Sequence, residues 1–440
     1  MVTIAIAISM AVLDGAIANI ALPTIGRELG ASPATTIWVV NGYQFAVTVS
    51  LLPLAFLGDI LGYKRIYMAG VLVFTAASLS CALANSLPLL IAARVLQGIG
   101  GAGIMSVNTA LIRFIFPRAE LGRGLGFNAL VVAAFSALGP SIAAGILSVA
   151  TWHWLFAINV PLGLVAIWLA ARVLPMTPLA GHRFDIPSAA MNAVTLGLAI
   201  IAVDGLGREA GATEAIELIV ALAIGALFIY RQLQLPVPLL PVDLFRRPVF
   251  ALSVGTSIGS YIGQTIAYVA LPFYFQDVGG LSPIETGLLM TPWPAIVVIV
   301  APIAGRLSDR YAAGILGTIG LAVMTAGLVS VLLLPATPGY ADVAWRLAVC
   351  GLGFGFFQSP NNRLLVGSAP AHRSGAGSGM LATARLTGQT FGSALVALSF
   401  GLAGARGGSA VAHGTTLALG IAIAATTAAM IVSAMRLRAR

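Results

Sequence analysis

Apolar runs of about twenty residues, the length that crosses a bilayer as a helix, alternate with short polar stretches along the whole chain. The pattern predicts fourteen helices, over 2–22, 36–57, 66–85, 88–112, 124–149, 154–174, 187–206, 214–232, 248–274, 285–304, 314–334, 342–366, 375–400 and 412–435. The longest connection, Gln232–Arg247, contains three prolines and two arginines. No connection is long enough for a separate folded domain. The first run could pass for a secretory leader, but no basic stretch precedes it and Pro23 spoils a cleavage site after Ala21-Leu22, so it is expected to be retained.

The polar stretches are asymmetric. Of the 23 Lys and Arg, 17 fall after the even-numbered runs or in the C-terminal tail, 4 (Arg27, Arg208, Arg346 and Arg406) fall on the other side, and Arg94 and Arg385 lie inside runs. Basic residues collect in cytoplasmic loops, so both termini are expected to be cytoplasmic. Two ends on one side require an even number of crossings, in agreement with fourteen.

Composition narrows the class. Of 440 residues, 59% are hydrophobic and 8% charged, against about 25% charged in soluble domains. Lipid must therefore be the solvent. The net charge of +9 is spread over many small groups, which excludes a nucleic-acid surface. Cys81 and Cys350 lie in apolar runs and suggest neither a disulfide framework nor a metal site. No glycine loop for phosphate precedes a Lys-Ser or Lys-Thr pair. His153, His182, His372 and His413 fall near loops with no catalytic partners. An enzyme is not expected, nor a cofactor or metal.

Asp14 is the one carboxylate well inside a predicted span. A charge there is costly and is normally paired, protonated or facing water. It is either an acid that titrates in function or a packing acid neutralised by a base. Arg94, Gln97, Gly101 and Asn108 share one face of the fourth span. Arg94 must find an anion or many acceptors, unless it snorkels or bonds backbone carbonyls. Polar and aromatic positions also align elsewhere: Asn41, Gln44 or Phe45, and Thr48; Tyr261, Gln264 and Tyr268; Phe354, Gln358 and Asn361; Trp293 between two prolines; Arg385 with Gln389. Converging amides and rings suit a pocket for amphiphiles; ordinary interhelical bonding is the alternative. A weak repeat links Gly58-Asp59-Ile60-Leu61-Gly62-Tyr63-Lys64-Arg65 to Gly305-Arg306-Leu307-Ser308-Asp309-Arg310-Tyr311. Internal repeats around a central site are typical of secondary transporters.

The chain resembles the fourteen-helix drug:proton antiporters of the major facilitator superfamily, which export quaternary ammonium compounds and other amphiphiles. The resemblance covers essentially its whole length. It rests on Leu13-Asp14 with Asn19-Ile20-Ala21-Leu22-Pro23, on Gly58–Arg65, on Arg94-Val95-Leu96-Gln97-Gly98-Ile99-Gly100-Gly101-Ala102, and on Trp154 with Asn159-Val160-Pro161-Leu162-Gly163. The fifth-span motif departs from the family pattern. Gly139-Pro140 is followed by Ala143-Ala144 where the family has two glycines; in the loop 2–3 motif, Ala55 replaces the leading glycine that Gly305 retains in the second half.

The resemblance implies an all-α polytopic membrane protein with the major facilitator fold. Its parts would be a six-helix half (1–174), an inserted pair with linkers (175–247) and a second six-helix half (248–440). It implies that Arg94 influences protonation of Asp14. It implies a gate at Gly139 and Pro140, and a charge latch of Asp59 with Arg65 and of Asp309 with Arg310. The expected function is proton-coupled export of amphiphilic compounds by alternating access. The energy would come from the proton gradient, and the cavity would be lined by Asn41, Gln44, Gln97, Tyr261, Gln264, Tyr268, Trp293, Gln358, Asn361 and Arg385. The expected partners are membrane lipid and a small substrate, monovalent cationic or neutral, with no nucleic acid; a monomer in a bacterial inner membrane is expected. An exporter of one endogenous metabolite, such as a siderophore or lipid-like product, is the alternative. A non-transporting receptor would need a ligand-binding loop domain.

Overall fold

The computed structural model describes the chain apart from residues 118–119, 178, 180–183, 207–210, 236–237, 336–337, 369–373, 405–406 and 438–440. Arg118, Arg183, Arg208, Arg373, Arg406, Arg438 and Arg440, used above for orientation, lie outside the described residues, as do His182 and His372.

Each predicted run is helical. The first part holds α1 (Val2–Glu28), α2 (Pro33–Thr36), α3 (Trp38–Leu61), α4 (Tyr63–Ala82), α5 (Leu87–Ile115), α6 (Leu121–Val149), α7 (His153–Ala157) and α8 (Asn159–Val173). A pair follows, α9 (Ile186–Leu206) and α10 (Ala212–Gln234). The last part holds α11 (Pro248–Phe273), α12 (Pro283–Met290), α13 (Pro292–Leu307), α14 (Ala313–Leu332), α15 (Tyr340–Ser368), α16 (Ser374–Leu402) and α17 (Gly408–Met435). Among the described residues, 11 helical stretches are long and apolar enough to cross a membrane. The long helices α11, α15 and α16 fall short of that apolarity; they carry Gln264, Gln358, Asn361, Arg385 and Gln389 in their interiors.

Proline explains most differences from the expected boundaries. Pro292 and Pro294 split one predicted helix into α12 and α13 at Thr291, and α2 is set off from α3 at Ile37. Pro283 starts α12, and a reciprocal cap fixes that start: Ser282 Oγ accepts from the Glu285 amide (3.2 Å) while Glu285 Oε2 accepts from the Ser282 amide (2.8 Å). By contrast α1 runs on through Pro23 to Glu28. Without water to compete for backbone groups, a proline inside a packed apolar bundle need not end its helix.

Helices α1 to α8 pack on one another, and so do α11 to α17. The two groups meet where α6 lies against α12 and α13, α3 against α16, and α1 against α11. Helix α9 touches both α3 and α16, and α10 packs mainly on α9. A small polar cluster ties the pair together. Arg231 Nη2 donates to Asp185 Oδ1 (2.8 Å), and Gln232 Nε2 to Ser188 Oγ (2.7 Å). Burial pushes the Asp185 carboxyl up, but hydrogen bonds from Arg231 and Ser188 outweigh it and hold the group below its ordinary value.

Polar contacts between the two groups collect toward the end where α1 finishes. Gln276 Nε2 donates to the Ile20 carbonyl (2.9 Å), and Arg27 reaches Gln276 Oε1 (3.3 Å) and Asp277 Oδ1 (3.3 Å). Nearer the middle, Ser141 bonds Thr291 (2.9 Å) and Thr48 bonds Thr390 (2.8 Å). At the end where α1 begins and α17 finishes, no hydrogen bond or ion pair joins the groups among the described residues.

Candidate functional site

The polar centre of the first group forms where five apolar helices each contribute a polar side chain. Arg94 and Gln97, one turn apart on α5, face α1. The Arg94 guanidinium pairs with Asp14 Oδ2 through Nη1, and the same nitrogen donates to Gln97 Oε1 (2.6 Å). Arg94 Nε donates to the Val39 carbonyl (3.0 Å). The other Asp14 oxygen accepts from Gln97 Nε2 (2.8 Å) and from Asn159 Nδ2 (3.1 Å). Gln97 Nε2 also reaches Ser78 Oγ (2.8 Å) on α4. Asp14, Arg94, Gln97 and Asn159 are all fully buried.

Small residues make this approach possible. A Cβ at Gly101 would come within 2.9 Å of the Tyr43 hydroxyl. With hydrogen there, Tyr43 closes over the cluster, and Arg94 lies 4.3 Å from the centre of its ring, with Phe156 at 5.4 Å on another side. The Tyr43 hydroxyl donates to the Ala11 carbonyl (3.3 Å). Two aromatic faces, one carboxylate and two carbonyl oxygens, of Gln97 and Val39, thus surround the guanidinium. Removing one partner of such a pair costs about 3–5 kcal/mol.

Of the expected residues, Asp14 and Arg94 meet directly. Gln97 belongs to this cluster rather than to a cavity wall. Asn159, Ser78, Tyr43 and Phe156 were not assigned a role from the sequence; Asn159, alone amid Ile158, Val160 and Pro161, is the one whose polarity in an apolar run could have been noticed. Cys81, expected to be a packing thiol, lies beside the cluster with Sγ 3.6 Å from Gln97 Oε1.

A second buried polar centre lies in the other group. Arg436, counted from the sequence as a charge of the C-terminal tail, is buried, and its Nη1 donates to Asn361 Oδ1 (2.5 Å) and Ser253 Oγ (3.2 Å). It also bonds the hydroxyl and carbonyl of Ser433. Asn361 Nδ2 donates to Ser257 Oγ (2.7 Å). Asn361 is therefore a structural tie and not a cavity residue. Trp293 is also fully buried, packed edge-on against Tyr268 (5.2 Å between ring centres) and closed in by Gly351. Asn41 is buried too, and neither of its amide atoms has a partner among the described residues.

The wall between the two groups reduces to half-buried Gln44, Gln264, Tyr268, Gln358 and Arg385, with the edge of Tyr261. Gln358 Nε2 donates to the Tyr261 hydroxyl (3.0 Å), and Phe354 meets the Tyr261 ring edge-on at 5.4 Å. Arg385 makes no hydrogen bond or ion pair among the described residues, and its Nε is buried without a partner. A substrate that is monovalent cationic or neutral is expected from the sequence, and for the cation Asp14 is the one deep acid that could serve as partner. Its carboxylate is instead consumed by Arg94, Gln97 and Asn159.

The gate residues divide likewise. Gly139 packs directly on Ala16, and the Pro140 carbonyl abuts Gly287, so this motif lies where α1, α6 and α12 cross. Asp59 is bonded by Tyr63 and not by Arg65. Asp309 pairs with Arg363 and not with Arg310. Neither acid reaches across to the other group. The ion pair that does cross among the described residues, Arg27 with Asp277, stands at the opposite end beside Gln276 and was not anticipated. Burial pushes the Asp277 carboxyl above its usual range, against the pull of Arg27.

The chain resembles known transporters over its full length. The sequence pattern of the Major Facilitator Superfamily matches residues 4–393. Uncharacterized transporter YebQ of Escherichia coli is 57% identical over 408 residues, 92% of this chain and 89% of that protein. Riboflavin transporter RibZ of Clostridioides difficile is 34% identical, covering 91% of this chain and 87% of its own length. Multidrug resistance protein Stp of Mycobacterium tuberculosis is 31% identical over 88% of this chain and 73% of its own length. Among solved structures, a bacterial homolog of the human lysosomal transporter Spinster, inward-facing and unoccupied, shares the fold with a TM-score of 0.71 at 16% identity, covering 100% of this chain and 96% of that one.

Proposed function

The chain belongs to the major facilitator superfamily, a polytopic membrane transporter and not an enzyme, and from that premise we propose that it is a proton-coupled exporter of amphiphilic compounds with fourteen membrane-spanning helices. The reading places it in a bacterial inner membrane with both termini in the cytoplasm, because of the basic asymmetry of its loops. On that orientation the Arg27, Asp277 and Gln276 contacts close the outer side.

The observation that carries the reading is the buried Asp14–Arg94 pair, sealed among apolar helices with two further donors on the carboxylate. A static core would be served as well by apolar side chains. An acid that takes a proton from outside would neutralise its own charge and release Arg94. Arg94 would then shift against Tyr43 on α3. Helix α3 is joined to α16 through Thr48 and Thr390, so the change in charge reaches the seam where substrate binds. Losing the proton inward would restore the pair and reset the seam.

A second reading, transport of one specific metabolite, is favoured by the relative named as a riboflavin transporter. Relatives named for multidrug resistance support the broader range. The two readings share the coupling site and differ only in the breadth of compounds moved.

The test is substrate accumulation in inside-out vesicles driven by a pH difference alone. The parent should accumulate compound and Asp14→Asn should not, although the variant should fold, since an amide oxygen still accepts a hydrogen bond from Arg94. Equal accumulation by the two would place the proton site elsewhere or end the proton reading. For topology, labelling from outside intact cells should reach Ser409→Cys and miss Arg440→Cys; the reverse would invert the orientation.

A further inference from the structure

Among the charges facing the seam between the two groups, one stands apart. Arg385 lies near the middle of α16, and its surroundings are fixed on both sides. Next to it, Leu386 packs into the core formed by α3 and its neighbours, Tyr43 and Val47 included. One turn on, Gly388 sits against the Ile258 carbonyl and Tyr261 of α11. Thr390 then bonds Thr48 of α3. Arg385 is thus held in the seam between α3 and α11.

The other charges of the adjoining helices are already engaged. Asp14 of α1 and Arg94 of α5 neutralise each other. Helix α11 has no charged side chain. On α15, Asp342 pairs with Arg346 and Arg363 with Asp309, both toward the helix ends. On α3, Asp59 is bonded to Tyr63 at the end of its helix. Among the described residues, Arg385 is therefore the one formal charge in the seam without an ionic partner, and it is positive. A guanidinium half-buried among apolar helices, with an unpartnered Nε, is offset by an anion or by several neutral acceptors, and an anion compensates its charge as well as its hydrogen bonds. A guanidinium also matches a planar oxyanion with two parallel hydrogen bonds. Beside it, Tyr261 and Phe354 offer ring faces and edges, and Gln358 an amide.

We propose that Arg385 selects the charge of the substrate: the seam receives an aromatic amphiphile bearing an anionic oxygen group, a carboxylate, phenolate or sulfonate, and disfavours a cation on the same skeleton. This rests on the exporter reading above for its setting, and it replaces a monovalent cation as the expected substrate. It also suits the energetics. An anion leaving a cell that is negative inside moves down the potential, as an entering proton does, at about 2.3 kcal/mol per charge per 100 mV.

The test uses two xanthene dyes on one ring skeleton, fluorescein as the anion at mildly alkaline pH and a rhodamine methyl ester as the cation. Equilibrium binding to purified full-length protein in lipid nanodiscs is read by fluorescence polarisation, for the parent, Arg385→Gln and Arg385→Lys. The parent should bind fluorescein at least tenfold more tightly than the rhodamine ester. Arg385→Gln should remove that preference, and Arg385→Lys should keep part of it. Equal or tighter binding of the rhodamine ester by the parent would overturn the proposal, as would no fluorescein binding by the parent, or a preference that survives in Arg385→Gln. If the Gln variant does not fold, the dye comparison in the parent and the intermediate preference in Arg385→Lys still decide. Equilibrium binding needs no proton gradient, so the result stands or falls apart from the coupling role of Asp14.

Discussion

Among the described residues two arginines are buried, Arg94 in the first group of helices and Arg436 in the second, and they are satisfied in opposite ways. Arg94 meets a carboxylate, the Gln97 amide oxygen, the Val39 carbonyl and two aromatic faces. Arg436 meets only neutral acceptors: the Asn361 amide oxygen, two serine hydroxyls and a backbone carbonyl. A guanidinium keeps its proton throughout the accessible pH range. A cluster can therefore change charge state only if its partner can. The Asp14 cluster has such a partner; the Arg436 cluster has none among the described residues and ties α11, α15 and α17 together. On the proposed function, the comparison separates a coupling cluster from an architectural one.

The largest break is expected at Arg94. Arg94→Ala strips a buried acid of its cation, and stability should fall by about 3–5 kcal/mol. Adding Asp14→Asn to that variant should recover most of the loss, while transport driven by a pH difference stays absent. Thermal unfolding in detergent, followed by the vesicle assay, reads both. A double variant no more stable than the single one would mean that the two residues do not act as a pair.

Arg94→Lys should do less damage to folding and nearly as much to transport. Lysine keeps the charge, but its single ammonium cannot reach Asp14, Gln97 and the Val39 carbonyl from one fixed plane. Uptake in vesicles should drop at least tenfold, with the unfolding temperature close to that of the parent. Undiminished uptake would show that charge alone, without the fork of bonds, suffices for coupling.

Arg436→Met tests the holding half of the comparison. An apolar side chain of similar length removes a desolvated charge together with its bonds, and such exchanges are often near neutral. Stability should change by no more than about 1–2 kcal/mol, since Asn361 keeps its bond to Ser257 while its oxygen loses a donor. The dependence of transport on pH should keep its shape. A displaced pH profile would give Arg436 a part in coupling that its neutral neighbours do not explain.

The smallest effect is expected at Asp277. Its pair with Arg27 is partly exposed, and such pairs contribute about 0–1 kcal/mol. The sign with pH is set by the raised value of its carboxyl. A group that holds its proton more tightly when buried than when free favours the closed arrangement in acid, and that advantage fades as pH rises through the raised value. Labelling of Asn19→Cys from the outer side, with Cys81 and Cys350 replaced by Ala and each rate taken relative to free cysteine at the same pH, should therefore slow as the medium is acidified. Adding Asp277→Asn should flatten that dependence. A dependence of opposite sign would mean that Arg27 outweighs burial.

Much of this protein is legible one residue at a time. Hydrophobic runs mark the helices because burying backbone in lipid demands that each run satisfy its own hydrogen bonds. A single acid and a single arginine inside such runs mark themselves, because an unpaired charge there is costly; Asp14 and Arg94 meet as those positions suggest. Periodicity can also place Gln97 on the face of Arg94. What it cannot supply is the partner on another helix. Asn159 on α8 completes Asp14, Tyr63 takes Asp59, Arg363 takes Asp309, and Arg436 folds back on Asn361. These choices depend on where helices far apart in sequence cross, and that is set by glycine and alanine contacts such as Gly139 on Ala16 and Gly101 on Tyr43. The closing of one end and the isolation of Arg385 are likewise properties of the packed bundle, since a charge is unpaired only with respect to everything that surrounds it. Sequence determines which groups must be compensated; the tertiary structure decides by what.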